Sequence, residues 1–474
     1  GLPASRGAAR LGRKVAVLDY VRPTPMGSKW GLGGTCVNVG CIPKKLYHTS
    51  AIYGHYVREA ASYGWTKSGG CHLTHDWALL RRNIQAHIRE LNNGYISGLR
   101  SAKVEYINAR GSFVDSHTIK CEQPATENGK ETLITARRIL IAVGGRPQYP
   151  NIPGARELCI TSDDVFSLER PPGKTLIIGA GYIALECGGF LTGLGYDVAI
   201  MVRSAVLREF DRDCARRLQE NMADHGTRFL EGCAPTAIAL AADGVRRRVA
   251  FERTATKESL WEEFDTVMFA IGRVPVTDEL NLSAANVVAA PDGKVWTWNE
   301  RTTAPNVYAV GDVSHGTPEL TPVAIKQGLL LAKRLYGGSR AVVNLHHVPT
   351  TVFTPLEYGS IGFSEETAVA TFGEANVEVY HSEFTPLEYT LPHRNDRCYA
   401  KILVNYLDRE RVIGFHYLGP NAGEVTQGFA AAFHAGLSFA DWNVLVGIHP
   451  TAAEEMVSLR TSKRSGLEAR KTGC

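Results

Sequence analysis

The sequence predicts an α/β protein with two βαβ-based domains followed by an α+β domain. Three observations carry that expectation. A complete strand, glycine turn, helix and strand occupy residues 174–203, half of the same unit opens the chain, and from about residue 343 alternating strands accompany two helices. At 474 residues the chain is too long for one core and calls for about three domains. Its 47 glycines suit an α/β protein with several tight loops better than a helical bundle.

The opening half-unit comes first. Small residues over 7–12 read as a helix, then Lys14-Val15-Ala16-Val17-Leu18-Asp19-Tyr20 reads as a buried strand with an acid at its end. Gly1 stands where the last glycine of a G-x-G-x-x-G fingerprint would fall, eighteen residues before Asp19. The first strand and most of the glycine turn are therefore expected to be missing from the N-terminus. The second unit is complete. Residues 174–178 form a strand, Gly179-Ala180-Gly181-Tyr182-Ile183-Ala184 the turn, 185–194 a helix, and 197–203 the next strand.

The two units end differently. Asp19 can accept hydrogen bonds from a ribose diol, so the first unit suits a dinucleotide such as FAD. Arg203, Ser204 and Arg208 offer two cations and a hydroxyl to a 2′-phosphate, so the second suits NADPH over NADH. A solvated arginine pair is the competing reading of Arg203 and Arg208, but position and chemistry agree on phosphate. Both units thus read as Rossmann-like dinucleotide-binding domains.

Two later segments look like returns to the first domain. Ile139-Leu140-Ile141-Ala142-Val143-Gly144-Gly145 is a buried strand ending in a glycine turn, and Val307-Tyr308-Ala309-Val310-Gly311-Asp312 is another with an acid at its end. Met268-Phe269-Ala270-Ile271-Gly272-Arg273 closes the second domain, and Arg273 is a further candidate for dinucleotide contact. The expected division is 1–150 and 278–342 for FAD, 151–277 for NADPH, and 343–474 for the third domain, with 462–474 as a tail. A net charge of +4 without a long basic block argues against nucleic-acid binding, and no apolar run approaches a membrane span. Most of the ten cysteines are scattered singly, which argues against a secreted disulfide framework and for a reducing compartment.

One cysteine pair is not scattered. Cys36 and Cys41 lie in Gly34-Thr35-Cys36-Val37-Asn38-Val39-Gly40-Cys41-Ile42-Pro43-Lys44-Lys45, separated by four residues. On one helical turn their side chains would share a face and could close a small disulfide. A helix beginning at Cys41 would lower the pKa of its thiol. Zinc would need two more ligands at similar spacing, and none follows.

The whole run resembles the active-site disulfide of the flavoprotein disulfide reductases, also called pyridine nucleotide-disulfide oxidoreductases. That resemblance makes Cys41 the flavin-facing thiol and Cys36 the interchange thiol. It places Gly34, Thr35, Asp312, Leu320 and Thr321 against FAD, and Lys44 beside the flavin in an ion pair with Glu186. Tyr182 becomes a gate where the nicotinamide enters, although ordinary packing on the sheet is the plainer alternative. His449-Pro450 followed by Glu454 and Glu455 resembles the motif in which a histidine protonates the leaving thiolate and an acid, here Glu454, orients it. In the family this histidine serves the other subunit, which implies a homodimer built through the third domain.

Within the family, the stretch between Asp19 and Gly34, the run 350–359 and the nineteen residues after Glu455 resemble the large, animal-type thioredoxin reductases. In those enzymes a mobile tail ending in Gly-Cys-selenocysteine-Gly or Cys-Cys relays electrons to thioredoxin. Glycine and small polar residues would give this tail reach, and its basic residues would keep it solvated. Here the sequence stops at Cys474, and a selenocysteine codon read as a stop, or omitted final residues, is the expectation. The implied activity is NADPH-dependent reduction of thioredoxin disulfide. The alternatives are glutathione reductase-type reduction of a small disulfide, or a non-catalytic fragment that only dimerises. Cytoplasmic and mitochondrial forms share these motifs, so both compartments stay open.

Overall fold

Thr175–Ile178 and Val198–Val202 are apolar runs buried at every position, the pattern of strands covered on both faces. With Ile160–Thr161, Thr266–Phe269 and Arg228–Glu231 they form a five-stranded, wholly parallel sheet. This arrangement comes from a computed structural model, which describes residues 1–66, 74–122 and 131–470. The turn after the first of these strands needs glycine. Gly179 has φ +135°, and an added Cβ would collide with the Ala270 carbonyl. The following helix, Tyr182–Gly193, ends against the helix Cys41–Glu59, where a Cβ on Gly193 would stand 2.8 Å from that of Ala51. Close approach at this glycine sets the second domain directly on the cysteine-bearing helix.

The first domain is assembled from two stretches of chain. Ala16–Leu18 pairs in parallel with Glu105–Ile107, and Val307–Ala309 in parallel with Ile139–Ile141. The opening helix runs Leu2–Arg10 and so begins earlier than the small-residue run suggested, with Pro3 in its first turn. Proline there is preset for helical geometry and gives up an amide that has no partner in any case. The helix lies against Thr321–Tyr336 through small residues, a Cβ on Gly328 falling 3.1 Å from that of Ala4. An antiparallel pair, Gly145–Pro147 with Arg273–Pro275, joins the first two domains where the chain crosses between them.

The third domain is a five-stranded antiparallel sheet in the order Thr350–Val352, Tyr358–Gly362, Arg411–Leu418, Cys398–Asn405, Val377–Phe384. Ala422–Ala435 packs on it, with Phe429 stacked on Trp442. Lys401, with no exposed side-chain surface, fastens this sheet to the second domain. Its Nζ reaches both carboxylate oxygens of Asp211 at 3.0 and 2.8 Å, Asp213 at 3.3 Å and Glu365 at 2.5 Å. Burial alone would raise Asp211, but His416 and Lys401 outweigh it and hold the carboxyl below the ordinary range. Burial holds His416 itself below its usual value, so Lys401 is the cation that counts at neutral pH.

The tail departs from expectation. Lys463 and Arg464, though exposed, are each paired with neighbouring elements. Lys463 Nζ lies 2.8 Å from Asp213 and 2.8 Å from both oxygens of Glu365, and Arg464 donates to the carbonyls of Glu374 and Val377. The edge strand Val377–Phe384 is covered by this segment, with the His381 amide donating to Thr461 and the Glu383 amide to Ala469. Covering an edge in this way removes a template for unwanted strand pairing. Cys474 lies outside the described residues.

Candidate active site

The cysteine run does not form one helical turn. Gly34–Val39 is a short helix, Gly40 breaks it with φ −146° and ψ −117°, and Cys41–Glu59 begins afresh at the second cysteine. A Cβ on Gly40 would press within 3.1 Å of the Thr35 carbonyl oxygen, which is why the break takes glycine. The expected helix start at Cys41 is there, but it serves the other thiol. Cys36 is lowered to about 7, chiefly by a hydrogen bond from the Cys41 thiol, with the Thr321 hydroxyl, the Cys41 amide and the Lys44 charge adding against burial. Cys41 is pushed upward by its hydrogen bond to Cys36 and by burial. Within this hydrogen-bonded pair Cys36 is thus lowered and Cys41 raised, whereas the helix start alone would favour Cys41. Iodoacetamide alkylation of the chemically reduced protein should be faster at Cys36 than at Cys41, with a Cys36 midpoint below the ordinary thiol value. Peptide mapping reads both rates, and Lys44→Met should move the Cys36 midpoint upward.

Behind the pair stands a buried ion pair. Lys44 Nζ donates to Glu186 Oε1 at 2.7 Å, joining the cysteine helix to the helix after the second glycine turn. The same oxygen accepts the Phe353 amide at 2.9 Å, and the Phe353 ring lies 4.2 Å from Lys44 Nζ and 4.1 Å from Lys45 Nζ. A buried carboxylate with two donors and a cation with a carboxylate and a ring are both compensated. One turn further along the helix, Glu357 is held by Lys45 at 2.8 Å and His48 at 2.9 Å. Burial would raise Glu357, but His48 and Lys45 outweigh it and bring its pKa down to about 2. Phe353, Glu357 and His48 were not foreseen. The signal was the run 350–359, whose acid and aromatic lie close together in sequence.

Around the thiols the structure gathers several expected residues. Thr321, which opens the helix Thr321–Tyr336 after Leu320, has its hydroxyl 4.0 Å from Cys41 Sγ. Arg273 donates to Thr35 Oγ1 at 3.3 Å and so lies over the cysteine run, not with Arg203, Ser204 and Arg208. Tyr182 keeps 40% of its surface exposed, with Glu186 and Arg273 as its nearest opposing charges; Asp312 is raised by burial and by Glu319. Arg273 also acts on Asp312, so Tyr182, Arg273 and Asp312 share one electrostatic neighbourhood. His449 is elsewhere. Its Nδ1 lies 3.0 Å from Glu454 Oε2 as expected, but 67% of its side chain is exposed, beside the bare Val446 and Ile448.

The residues present fit the two dinucleotides. The helix Leu2–Arg10 begins at Gly1 without a side-chain cap, leaving its first amides for a pyrophosphate, and Asp19 follows the next strand. Burial raises Asp19 to about 6. Gly34, at φ +76°, has open space where a side chain would stand, as a flat ring close to the backbone requires. In the second unit Gly181 also faces open space, and the helix Tyr182–Gly193 it opens has no side-chain cap. Arg203, Ser204 and Arg208 are exposed together after Val198–Val202, with Arg208 donating to Ser204 Oγ at 2.5 Å.

Comparison with known proteins agrees with this geometry. Residues 1–328 match the family described as pyridine nucleotide-disulphide oxidoreductase, and residues 348–460 match its dimerisation domain. The chain is 50% identical over 483 residues to thioredoxin reductase SEP1 of Emiliania huxleyi, covering all of this chain and 96% of that protein. It is 48% identical over 475 residues to the mitochondrial thioredoxin reductase 2 of Drosophila melanogaster, covering all of this chain and 91% of that protein. Family models that match most of the chain, and two relatives matched along its entire length, make this chain a member of the pyridine nucleotide-disulphide oxidoreductase family.

Proposed function

We propose that the chain catalyses NADPH-dependent reduction of thioredoxin disulfide, working as an FAD-containing homodimer. The observation that carries this reading is the Cys36–Cys41 pair at the Gly40 break, with the Lys44–Glu186 ion pair immediately behind it. FAD, when bound, accepts a hydride equivalent from NADPH and delivers two electrons to the Cys36–Cys41 disulfide. Gly1 and Asp19, with Gly34, Thr35, Asp312, Leu320 and Thr321, are the proposed FAD contacts. Gly179, Gly181, Arg203, Ser204 and Arg208 are those for NADPH, with Tyr182 at the entry and Arg273 positioned by Thr35.

The protein's own groups then carry the exchange. The Cys36 thiolate attacks a sulfur of the acceptor disulfide, forming a mixed disulfide and expelling one thiolate. His449, held by Glu454, supplies the proton to that thiolate. Cys41 then attacks Cys36, releasing the second acceptor thiol and restoring the Cys36–Cys41 disulfide. The exposure of His449, and of the apolar Val444, Val446 and Ile448 around it, supports its use against a second copy of the chain. The tail 462–474, with Cys474 as one half of its exchange pair, is the proposed relay between Cys36 and thioredoxin. The cytoplasm or the mitochondrion is the proposed compartment; one relative is named as mitochondrial, and no helix among the described residues is long and apolar enough to cross a membrane.

Cys36→Ser tests the reading. It should abolish NADPH-dependent thioredoxin reduction while leaving the flavin spectrum of the protein unchanged. Retained turnover would overturn the assignment of Cys36.

A further inference from the structure

Between the strands Thr350–Val352 and Tyr358–Gly362 the third domain sends residues 353–357 against the helix that carries Cys41. The segment is braced from two sides. A Cβ on Gly189 would stand 2.5 Å from Pro355, so the helix Tyr182–Gly193 lies directly against it. A Cβ on Gly423, in the helix Ala422–Ala435, would stand 3.3 Å from the Phe353 ring. Thr354 Oγ1 closes the turn by donating to the Leu356 carbonyl at 2.7 Å. Glu357 ends it, bonded to Lys45, to His48 and, at 3.4 Å, to the Gly423 amide. Close packing of this kind fixes the place of the Phe353 ring.

The ring is fixed beside two like charges. Lys44 and Lys45 are neighbours in the first turn of the helix Cys41–Glu59, and their ammonium nitrogens lie 4.2 and 4.1 Å from the centre of the one ring. The electron-rich face of an aromatic ring attracts a cation at that range, while two ammonium groups so placed repel each other. Carboxylates from different domains divide the pair. Glu186 of the second domain takes Lys44, and Glu357 of the third takes Lys45. The Phe353 amide ties the same Glu186 oxygen to the segment at 2.9 Å.

We propose that Phe353 is a positioning residue of the active site, its amide orienting the Glu186 carboxylate and its ring keeping the Lys44 ammonium on that carboxylate and apart from Lys45. The proposal rests on the disulfide-reductase reading above, in which the Lys44–Glu186 pair stands behind the thiols. The side chain of Lys44 is 13% exposed, against 45% for Lys45, so Lys44 depends on its protein partners where Lys45 can turn to water. Without the ring Lys44 keeps the repulsion of Lys45 and has Glu186 alone to hold it. Lys44, Glu186 and Phe353 belong to the first, second and third domains, so the lysine is seated only when all three are docked.

The test uses the full-length, FAD-loaded protein in three forms besides the wild type. Phe353→Met keeps the amide and an apolar side chain but no ring, Phe353→Tyr keeps the ring, and the third form combines Phe353→Met with Lys45→Gln. Two quantities are read: the rate at which acetic anhydride acetylates Lys44, followed by mass spectrometry, and kcat and KM for NADPH at saturating thioredoxin. Phe353→Met should acetylate Lys44 about fivefold faster and lower kcat by a similar factor with KM for NADPH unchanged. Phe353→Tyr should restore both. Adding Lys45→Gln to Phe353→Met should bring the acetylation rate back toward the wild type, because the repelling charge has gone; a packing defect would not be mended by it. Wild-type acetylation in Phe353→Met, or faster acetylation with kcat unchanged, would refute the proposal and leave the functional reading standing. If the wild type itself turns over no thioredoxin, the functional reading fails, and the acetylation rates still decide whether the ring holds Lys44.

Discussion

Lys401→Met is expected to lower stability at neutral pH by about 3–5 kcal/mol, the range for removing one partner of a buried ion pair. The side chain it replaces has no exposed surface and faces Asp211, Asp213 and Glu365. Asp211 is the sensitive group, because it too is fully buried and spends its remaining capacity on the amides of Cys214 and Glu365. Asp213 and Glu365 are partly exposed and retain Lys463. The pH dependence identifies the cause. In the wild type Asp211 is depressed, so its stabilisation is present above the unfolded carboxyl pKa of about 3.9 and is lost as pH falls through the lower folded value. Without Lys401 the buried carboxylate has lost the cation it holds at neutral pH, burial raises its folded pKa, and the penalty is relieved as pH falls and the carboxyl, or the adjacent His416, takes up a proton. The difference between variant and wild type should therefore shrink between about pH 7 and pH 4.5. Urea unfolding at both values measures it; a difference that stays constant would mean that Met disturbs packing and not charge.

What could be read in the sequence follows the range of the interactions concerned. The turn at Gly179 and its flanking strands are local, so a pattern of about thirty residues is enough to declare them. The shift to an α+β pattern near residue 343 is local in the same sense. Cys36 and Cys41 stand out because they lie in one short run, and Lys44 with Glu186 came through likeness to a family. The break at Gly40 was hidden by the spacing itself, which also fits one helical turn. The lowering of Cys36 depends on contacts across that break, chiefly the hydrogen bond from the Cys41 thiol, with the Cys41 amide adding to it. Phe353 meets Glu186 across 167 residues, His48 meets Glu357 across 309, and Lys401 meets Asp211 across 190. No periodicity reports a meeting at that separation. The pairing of the tail was hidden for a related reason: the acceptors of Lys463 and Arg464 belong to distant elements.

A mixture of two inactive proteins is expected to recover activity. His449→Ala should lower thioredoxin turnover by about 10²–10⁴, the contribution of a positioned acid, while the NADPH-driven reduction of the flavin and of Cys36–Cys41 proceeds unhindered. Cys36→Ser should abolish turnover outright. Within one chain His449 stands exposed beside Val446 and Ile448, with Glu454 as its partner and the thiols elsewhere. If it completes the site of a second copy, a dimer of one Cys36→Ser chain and one His449→Ala chain holds one intact site, built from the cysteines of the latter and the histidine of the former. Equal mixing with subunit exchange makes half the dimers mixed, each with one working site of two, so about a quarter of wild-type activity should return. If His449 acted within its own chain, neither site of the mixed dimer would be complete and the mixture would stay as inactive as its parts. Because each parent keeps its flavin and its third-domain sheet, a failure to recover after demonstrated exchange would count against the cross-subunit role and not against folding. Recovery would also explain the bare valines and isoleucine, since the segment that carries His449 to another subunit must present an apolar surface for that subunit to cover.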